Sequence, residues 1–312
     1  MIYTLTLNPS IDYFVTVDAL NLGETNRMEH ESKAPGGKGI NVSRVLTSLG
    51  IQNKALGFLG GLTGQYIQDE LKKENVDTDF VHVDGDTRIN IKLRGEQETE
   101  INGNGPVISD EAISALTGQL DVLKEGDILV LAGSIPPSMP SDFYEQIIKQ
   151  LVNNGVKIVV DTTKEKLLNI LKYKPFLIKP NHHELGELFD VSIETKEDAI
   201  PYGKKLVEMG AQNVIVSMGG KGTLYFTEQD AQFAQFAPVP PGSLVNSVGA
   251  GDSVVAGFIA SFEQSGDELK SFKFGAAAGS ATAYSSGFCT KETIDKLLNE
   301  IETTPISGGE YQ

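Results

Sequence analysis

Short apolar runs alternate with segments of helical spacing along most of this chain, and that alternation limits the possible folds more than any other feature. Ile128 to Leu131 and Lys157 to Val160 are brief and mostly apolar, as strands are when both faces of a sheet are covered. Helical patterns over 141–153 and 165–171 follow them, then a strand from Phe176 to Ile178 and a helix from Glu184 onward. The same order holds earlier. A strand from Ile2 to Leu7 stops at Asn8-Pro9-Ser10, and a glycine cluster at 36–39 opens a helix with Val42, Val45, Leu46 and Leu49 at helical spacing. A strand from Lys54 to Leu59 and a helix from Gln65 to Glu74 come next, and Val214 to Ser217 and Thr223 to Thr227 flank a glycine-rich turn. Strand and helix in such alternation predict a mostly parallel central sheet.

Two stretches break the pattern. Ile11, Tyr13, Val15 and Val17 alternate with Asp12, Phe14, Thr16 and Asp18, the period of a strand lying on a surface, and a polar connection follows from Asn21 to Lys33. Later, Arg88, Asn90, Lys92 and Arg94 alternate with Ile89, Ile91 and Leu93, a turn falls near Gly95, and the chain returns over Glu98 to Asn102 as a hairpin. Together these predict a small sheet standing off the main domain, with a polar face toward something wet.

Charge narrows the partners. The 312 residues carry a formal net charge of -16 without a basic tract, which argues against nucleic acid or an anionic membrane. Any phosphate site must therefore be local. The single cysteine, Cys289, excludes an internal disulfide, and no Cys/His spacing suits zinc. With no leader-like or membrane-spanning run in view, a cytoplasmic location is expected, and Ser307 to Gln312 are expected to be disordered.

Four motifs carry chemistry. In Asn246-Ser-Val-Gly-Ala-Gly-Asp252, Gly249, Ala250 and Gly251 leave backbone N–H groups open at a helix start, where an anion can sit. Asp252 is then either a helix cap or a base beside developing negative charge. Gly36-Gly-Lys-Gly39 is either a cradle with Lys38 as a point charge or a glycine-rich turn with a solvated lysine; no Ser or Thr follows the Gly-Lys pair, so it is not a Walker loop. Asn181 and Glu184, three apart at a helix start, can both offer oxygens to Mg²⁺ through water or form a capping box; the adjacent His182 and His183 cannot easily share one ion. Asp12, Arg27, Lys38 and Arg88 come from segments that can meet above the sheet edge, and convergence of the cations would suit a phosphate-bearing ligand.

Asn8-Pro-Ser-Ile-Asp12, Pro35-Gly-Gly-Lys-Gly-Ile-Asn41, Lys179-Pro-Asn-His-His-Glu184 and Val248-Gly-Ala-Gly-Asp252, in this order, resemble the motifs of the ribokinase-like (PfkB) carbohydrate kinases, over nearly the whole chain. Thr87-Arg88-Ile-Asn-Ile-Lys92 and Ala132-Gly-Ser-Ile-Pro-Pro137 are similar to the branch acting on ketose monophosphates. The resemblance implies a single ribokinase-like three-layer α/β/α domain over 1–312, with a mostly parallel sheet and a β-sheet lid from insertions at about 11–34 and 87–104 that pairs with a second copy into a homodimer. It implies transfer from ATP, with Mg²⁺, to the 6-hydroxyl of fructose 1-phosphate; tagatose 6-phosphate or fructose 6-phosphate are alternative acceptors, and a catalytically silent sugar-phosphate sensor is the reading from another class. Asp252 would be the base and Gly249, Ala250 and Gly251 the anion hole. Asp12, Gly37 and Asn41 would hold sugar hydroxyls, and Arg27, Lys38, Arg88 and Ser134 the phosphosugar. Lys179, Asn181, Ser217, Gly219, Gly220 and Gly222 would face the nucleotide, and Asn181 and Glu184 the metal. A monovalent cation such as K⁺ would lie against carbonyls near Asn246, Val248, Ala283, Ser286 and Gly287.

Overall fold

The computed structural model describes residues 1–162, 165–227, 231–236 and 244–306; the tail expected to be disordered, Ser307 to Gln312, lies outside them. In chain order its strands are β1 (Ile2–Thr6), β2 (Ser10–Thr16), β3 (His30–Gly36), β4 (Asn53–Gly60), β5 (Asp77–Val83), β6 (Arg88–Arg94), β7 (Glu98–Asn102), β8 (Ile128–Ala132), β9 (Lys157–Asp161), β10 (Leu177–Ile178), β11 (Asn213–Ser217), β12 (Thr223–Thr227), β13 (Ala231–Phe236) and β14 (Ile301–Pro305). The helices are α1 (Lys38–Ser48), α2 (Gly61–Lys73), α3 (Asp110–Leu120), α4 (Phe143–Leu151), α5 (Glu165–Leu171), α6 (His182–Phe189), α7 (Lys196–Glu208), α8 (Ala250–Ser265), α9 (Glu268–Ala283) and α10 (Lys291–Leu298).

The main sheet has the order β14-β13-β12-β11-β10-β9-β8-β1-β4-β5. From β11 to β5 every neighbour pair is parallel, while β12, β13 and β14 extend the sheet antiparallel. Alternation within each strand feeds two separate cores. Leu129, Leu131, Ile158 and Val160 pack on one face with α3, α4 and α5, and Ile128, Val130 and Val159 pack on the other with α1, α8 and α9. This is the three-layer α/β/α arrangement, and it explains why these strands read as continuous apolar runs. On the second face α8 and α9 lie unusually close: a Cβ on Gly257 would sit 2.7 Å from the Cβ of Ala278, so small residues let the backbones approach. Among the described residues no helix is long and apolar enough to cross a membrane.

A separate four-stranded sheet has the order β3-β2-β6-β7. β2 and β6 pair parallel at its centre, and β3 and β7 flank them antiparallel. β3 corrects the sequence analysis, which took most of this stretch as a polar connection. Its residues, His-Glu-Ser-Lys-Ala-Pro-Gly, show no apolar alternation; it is an edge strand held by its backbone ladder with β2, where Pro35 is tolerated. The small sheet is anchored beside the main one by a third core, in which Ile11 packs with Ile40, Ala55, Leu59 and the α2 residues Ile67 and Leu71.

Candidate active site

The α8 N-terminus stands at the centre of the site. Gly249 precedes the helix at φ 77°, and a Cβ there would lie 2.4 Å from the Phe288 ring, so both backbone and packing select glycine. No side chain caps the first turn; Ala250 N–H donates to the Ser247 carbonyl at 3.2 Å, and the other first-turn donors can meet a ligand. Asp252, one of the two readings of which was a cap, instead turns its carboxylate to Asn41, whose Nδ2 donates to Oδ2 at 2.8 Å. Burial, and next the charge of Asp161, push the Asp252 pKa up to about 7, although Asn41, Lys38 and Lys179 oppose the shift. A carboxyl poised there suits proton abstraction near neutral pH.

Asp161, the last residue of β9, supplies that neighbouring charge. Lys38 Nζ donates to its Oδ1 at 2.8 Å and Lys179 Nζ stands 3.6 Å from its Oδ2, with the Asp161 side chain 2% exposed. Burial alone would raise its pKa, but Lys179 and Lys38 outweigh it and hold the carboxyl below the usual range. Lys38 is correspondingly held charged: burial disfavours its ammonium, and Asp161, Glu184 and Asp252 together more than compensate. Two buried carboxylates are thus driven apart, one kept ionised as an anchor and the other brought near neutrality. Lys179 also reaches the turn at the start of α8, since a Cβ on Gly251 would be 3.2 Å from its Nζ.

On the other side of Asp252 lies a cavity of about 420 Å³ between the two sheets. Asp12, Gly37, Lys38, Asn41, Arg88, Ser134, Gly249 and Asp252 all line it. Asp12 is buried and accepts hydrogen bonds from Ser10 Oγ at 2.8 Å and Asn90 Nδ2 at 3.2 Å. Gly36 makes room for it, because a Cβ there would come within 2.5 Å of the Asp12 carboxylate. The glycine run thus serves the protein's own packing at this point. Arg88 donates through Nε to the Asn8 carbonyl at 3.1 Å and through Nη1 to the Gly103 carbonyl at 3.2 Å; burial lowers its pKa, against the pull of Asp12. The expected meeting of three cations is only partly seen. Lys38 and Arg88 share the cavity, whereas Arg27 is exposed on the loop between β2 and β3 and does not line it. Asp161, Thr6, Asn8, Asn90 and Lys92 line or shape the cavity and were not singled out from sequence. For Asp161 a signal existed: a charged residue closing an otherwise apolar strand.

The remaining candidates continue along the carboxyl edge of the parallel strands, where open α/β sheets bind ligands. Lys179 follows β10, and Asn181 bridges to Ser217 at the end of β11. Asn181 and Glu184 form a complete capping box: Asn181 N–H donates to Glu184 Oε2 and Glu184 N–H to Asn181 Oδ1, each at 2.8 Å. Glu184 Oε1 remains, 4.0 Å from Lys38 Nζ. That donor set fits Mg²⁺ arriving with phosphate and water ligands of its own, with Asn181 holding Glu184 in place. Gly219, at φ 58°, and Gly220 face open space where a Cβ would sit, and Gly222 takes φ 109°. Among the described residues no group of three or more His, Cys, Asp and Glu is placed to hold a metal by itself. At the loops expected near a monovalent cation, Val245 N–H and Asn246 N–H both donate to the Ala283 carbonyl, at 2.9 and 3.1 Å, so that oxygen is already engaged.

Residues 5–294 match the model of the pfkB family carbohydrate kinases. A 1-phosphofructokinase of Bacillus subtilis is 53% identical over 98% of this chain and 100% of its own. A D-tagatose-1-phosphate kinase of Bacillus licheniformis is 37% identical over 98% of this chain and 100% of its own. Phosphofructokinase-2 of Escherichia coli, in a crystal structure with substrates and products, is 29% identical, superimposes with a TM-score of 0.89 and covers 96% of this chain and 98% of its own. A second structure of that enzyme is a complex with potassium, at 30% identity, a TM-score of 0.87 and the same coverage.

Proposed function

Because the chain belongs to the pfkB family of carbohydrate kinases, we propose that it transfers the γ-phosphoryl group of ATP to the 6-hydroxyl of D-fructose 1-phosphate, giving D-fructose 1,6-bisphosphate and ADP. The observation that carries this is Asp252: a buried carboxyl with a pKa near 7, at an uncapped helix N-terminus and hydrogen-bonded to the sugar-motif residue Asn41.

In this reading Asp252 accepts the proton of the attacking hydroxyl as the new O–P bond forms and the bond from the γ-phosphorus to the ADP oxygen breaks. The N–H groups of Gly249 and Gly251, with that of Ala250 exchanging its Ser247 carbonyl for the substrate, receive the charge on the phosphoryl oxygens, and Lys179 stands beside Gly251. Asn41 orients Asp252; Asp161 keeps Lys38 and Lys179 in place and holds Lys38 ionised. Glu184, held by Asn181, would bind Mg²⁺ brought in with the nucleotide, and the ion would supply further neutralisation of phosphate charge. Asp12 accepts from a sugar hydroxyl, Arg88 and Ser134 face the phosphate already on the sugar, and Ser217 to Gly222 border the nucleotide. The small sheet acts as a lid, excluding the water that would otherwise compete as acceptor. Pairing of two such lids into a dimer, which would also decide where Arg27 lies, and a potassium ion beside the α8 turn are extensions of the same reading; of the loops named for the ion, Ala283 fits least, its carbonyl already carrying two donors.

The test is an ADP-release assay with ATP and Mg²⁺ against fructose 1-phosphate, tagatose 1-phosphate, fructose 6-phosphate, tagatose 6-phosphate and fructose, ranked by kcat/KM. Fructose 1-phosphate is expected first. Preference for tagatose 1-phosphate would keep the chemistry and change the acceptor, and no turnover on any ketose phosphate would refute the kinase assignment in favour of a sensor.

A further inference from the structure

The turn at Gly249 has a back wall whose side chains do not line the cavity described above. Phe288, in the loop between α9 and α10, sets the edge of its ring where a Gly249 side chain would be, 2.4 Å from the position of a Cβ. The ring is itself held. Arg44 of α1 lies with its guanidinium carbon 4.7 Å from the Phe288 centroid. The same guanidinium reaches Glu74, at the end of α2, through Nε to Oε2 and Nη2 to Oε1, both 2.6 Å. Its Nη1 donates to the Pro35 carbonyl at 3.3 Å, one residue before the Gly36-Gly37 sugar motif. An exposed ion pair is ordinarily worth little, but this one is bidentate, with the arginine side chain 15% exposed and its guanidinium over a ring, so direction as well as charge is fixed.

The other ties of the turn are mostly backbone ones. No side chain caps the first turn of α8; among the described residues ahead of it, Val245 and Asn246 N–H donate to the Ala283 carbonyl, Val248 N–H to Asn246 Oδ1 at 3.1 Å, Ala250 N–H to the Ser247 carbonyl at 3.2 Å, and Arg94 Nη2 to Asn246 Oδ1 at 3.4 Å. Resting on the kinase reading above, we propose that Phe288, clamped by Arg44 and Glu74, is a positioning residue that sets the anion-binding turn at Gly249 in register with the sugar motif at Pro35 to Asn41. None of the three lines the catalytic cavity; Arg44 and Phe288 line a neighbouring one of about 470 Å³. They act through placement of the turn, where an error of an ångström is costly.

The experiment compares Phe288→Leu, Phe288→Tyr and Arg44→Lys with the wild type for kcat, for KM of fructose 1-phosphate and ATP, for ADP release with water as acceptor, and for the urea-unfolding midpoint. Phe288→Leu and Arg44→Lys are expected to lose about tenfold in kcat and in ADP release to water, with sugar KM within about twofold. Phe288→Tyr keeps the ring and is expected to stay within about twofold of wild type throughout. Wild-type kcat in both the Leu and Lys variants would overturn the proposal. A loss that merely follows the unfolded fraction, or a Tyr variant as impaired as the Leu variant, would overturn it as well. ADP release to water needs no sugar, so a wild type inactive on every ketose phosphate would refute the proposed function, while any ADP release to water that it retained would keep this comparison readable.

Discussion

The two sheets face one cavity and hold their polar groups by different means. At the edge of the main sheet charge is held by charge: Asp161 lies between Lys38 and Lys179, and its ionisation helps keep the Asp252 pKa near 7. In the small sheet the corresponding carboxylate, Asp12, takes neutral donors from Ser10 and Asn90, and Arg88 is tethered by backbone carbonyls. The surroundings differ too. The first group sits at the ends of strands covered on both faces, whereas β7 of the small sheet is exposed along its whole length. Groups that must hold their protonation state through a reaction are thus locked by ion pairs on rigid elements, where breaking one partner is costly. Groups that, on the proposed function, would take up and release a substrate are held by neutral partners in a sheet that shares no strand with the core.

Removing the base should break the charged side most. Asp252→Asn is expected to lower kcat by about 10³-fold while calorimetric binding of fructose 1-phosphate persists; turnover within tenfold of wild type would take Asp252 out of the mechanism. Asp161→Asn is expected to cost about 10²-fold in kcat, because both lysines lose their anchor. Its pH profile sharpens the comparison. As the proposed base Asp252 would act only unprotonated, so wild-type kcat/KM should fall as pH drops through about 7. The Asp161 charge raises the Asp252 pKa, and without it the fall should begin at lower pH. An unmoved acid limb would assign the elevation to burial alone. On the small-sheet side, Arg88→Ala is expected to raise the KM for phosphosugar about tenfold with little change for ATP; equal effects on both substrates would mean that the small sheet carries no phosphate site.

What the sequence showed follows the same division. β8 and β9 were legible within a residue of their observed ends because strands covered on both faces must be continuously apolar. The glycine turn before Asp252 was legible because few residue types allow it. β3 was not, since an edge strand of polar residues is specified by its partner's backbone rather than by its own pattern. Nor was the place of Asp161, which depends on Lys38, 123 residues away in the chain, and on Lys179. Whether Asn181 and Glu184 cap a helix or hold a metal could not be settled from a spacing that serves both; the capping box is present, and it leaves one Glu184 oxygen toward Lys38.

The smallest expected effect tests the neutral side most directly. Ser10→Ala removes the 2.8 Å hydroxyl donor to Asp12 Oδ1 but leaves the 3.2 Å bond from Asn90 Nδ2, so the carboxylate keeps one partner in a buried setting. A hydroxyl bond to a carboxylate contributes about 1.5 kcal/mol or more, of which part, roughly fivefold, is expected in sugar binding because Asn90 remains. If Asp12 only takes a sugar hydroxyl, the whole loss should appear in the KM for fructose 1-phosphate, with kcat and the pH profile unchanged. Asn90→Ala, which also frees the Ser10 hydroxyl that Asn90 Nδ2 meets at 3.0 Å, should act in the same direction. A fall in kcat with unchanged KM would instead mean that the small sheet transmits order to the Asp252 side, and that charged and neutral regions work as one network.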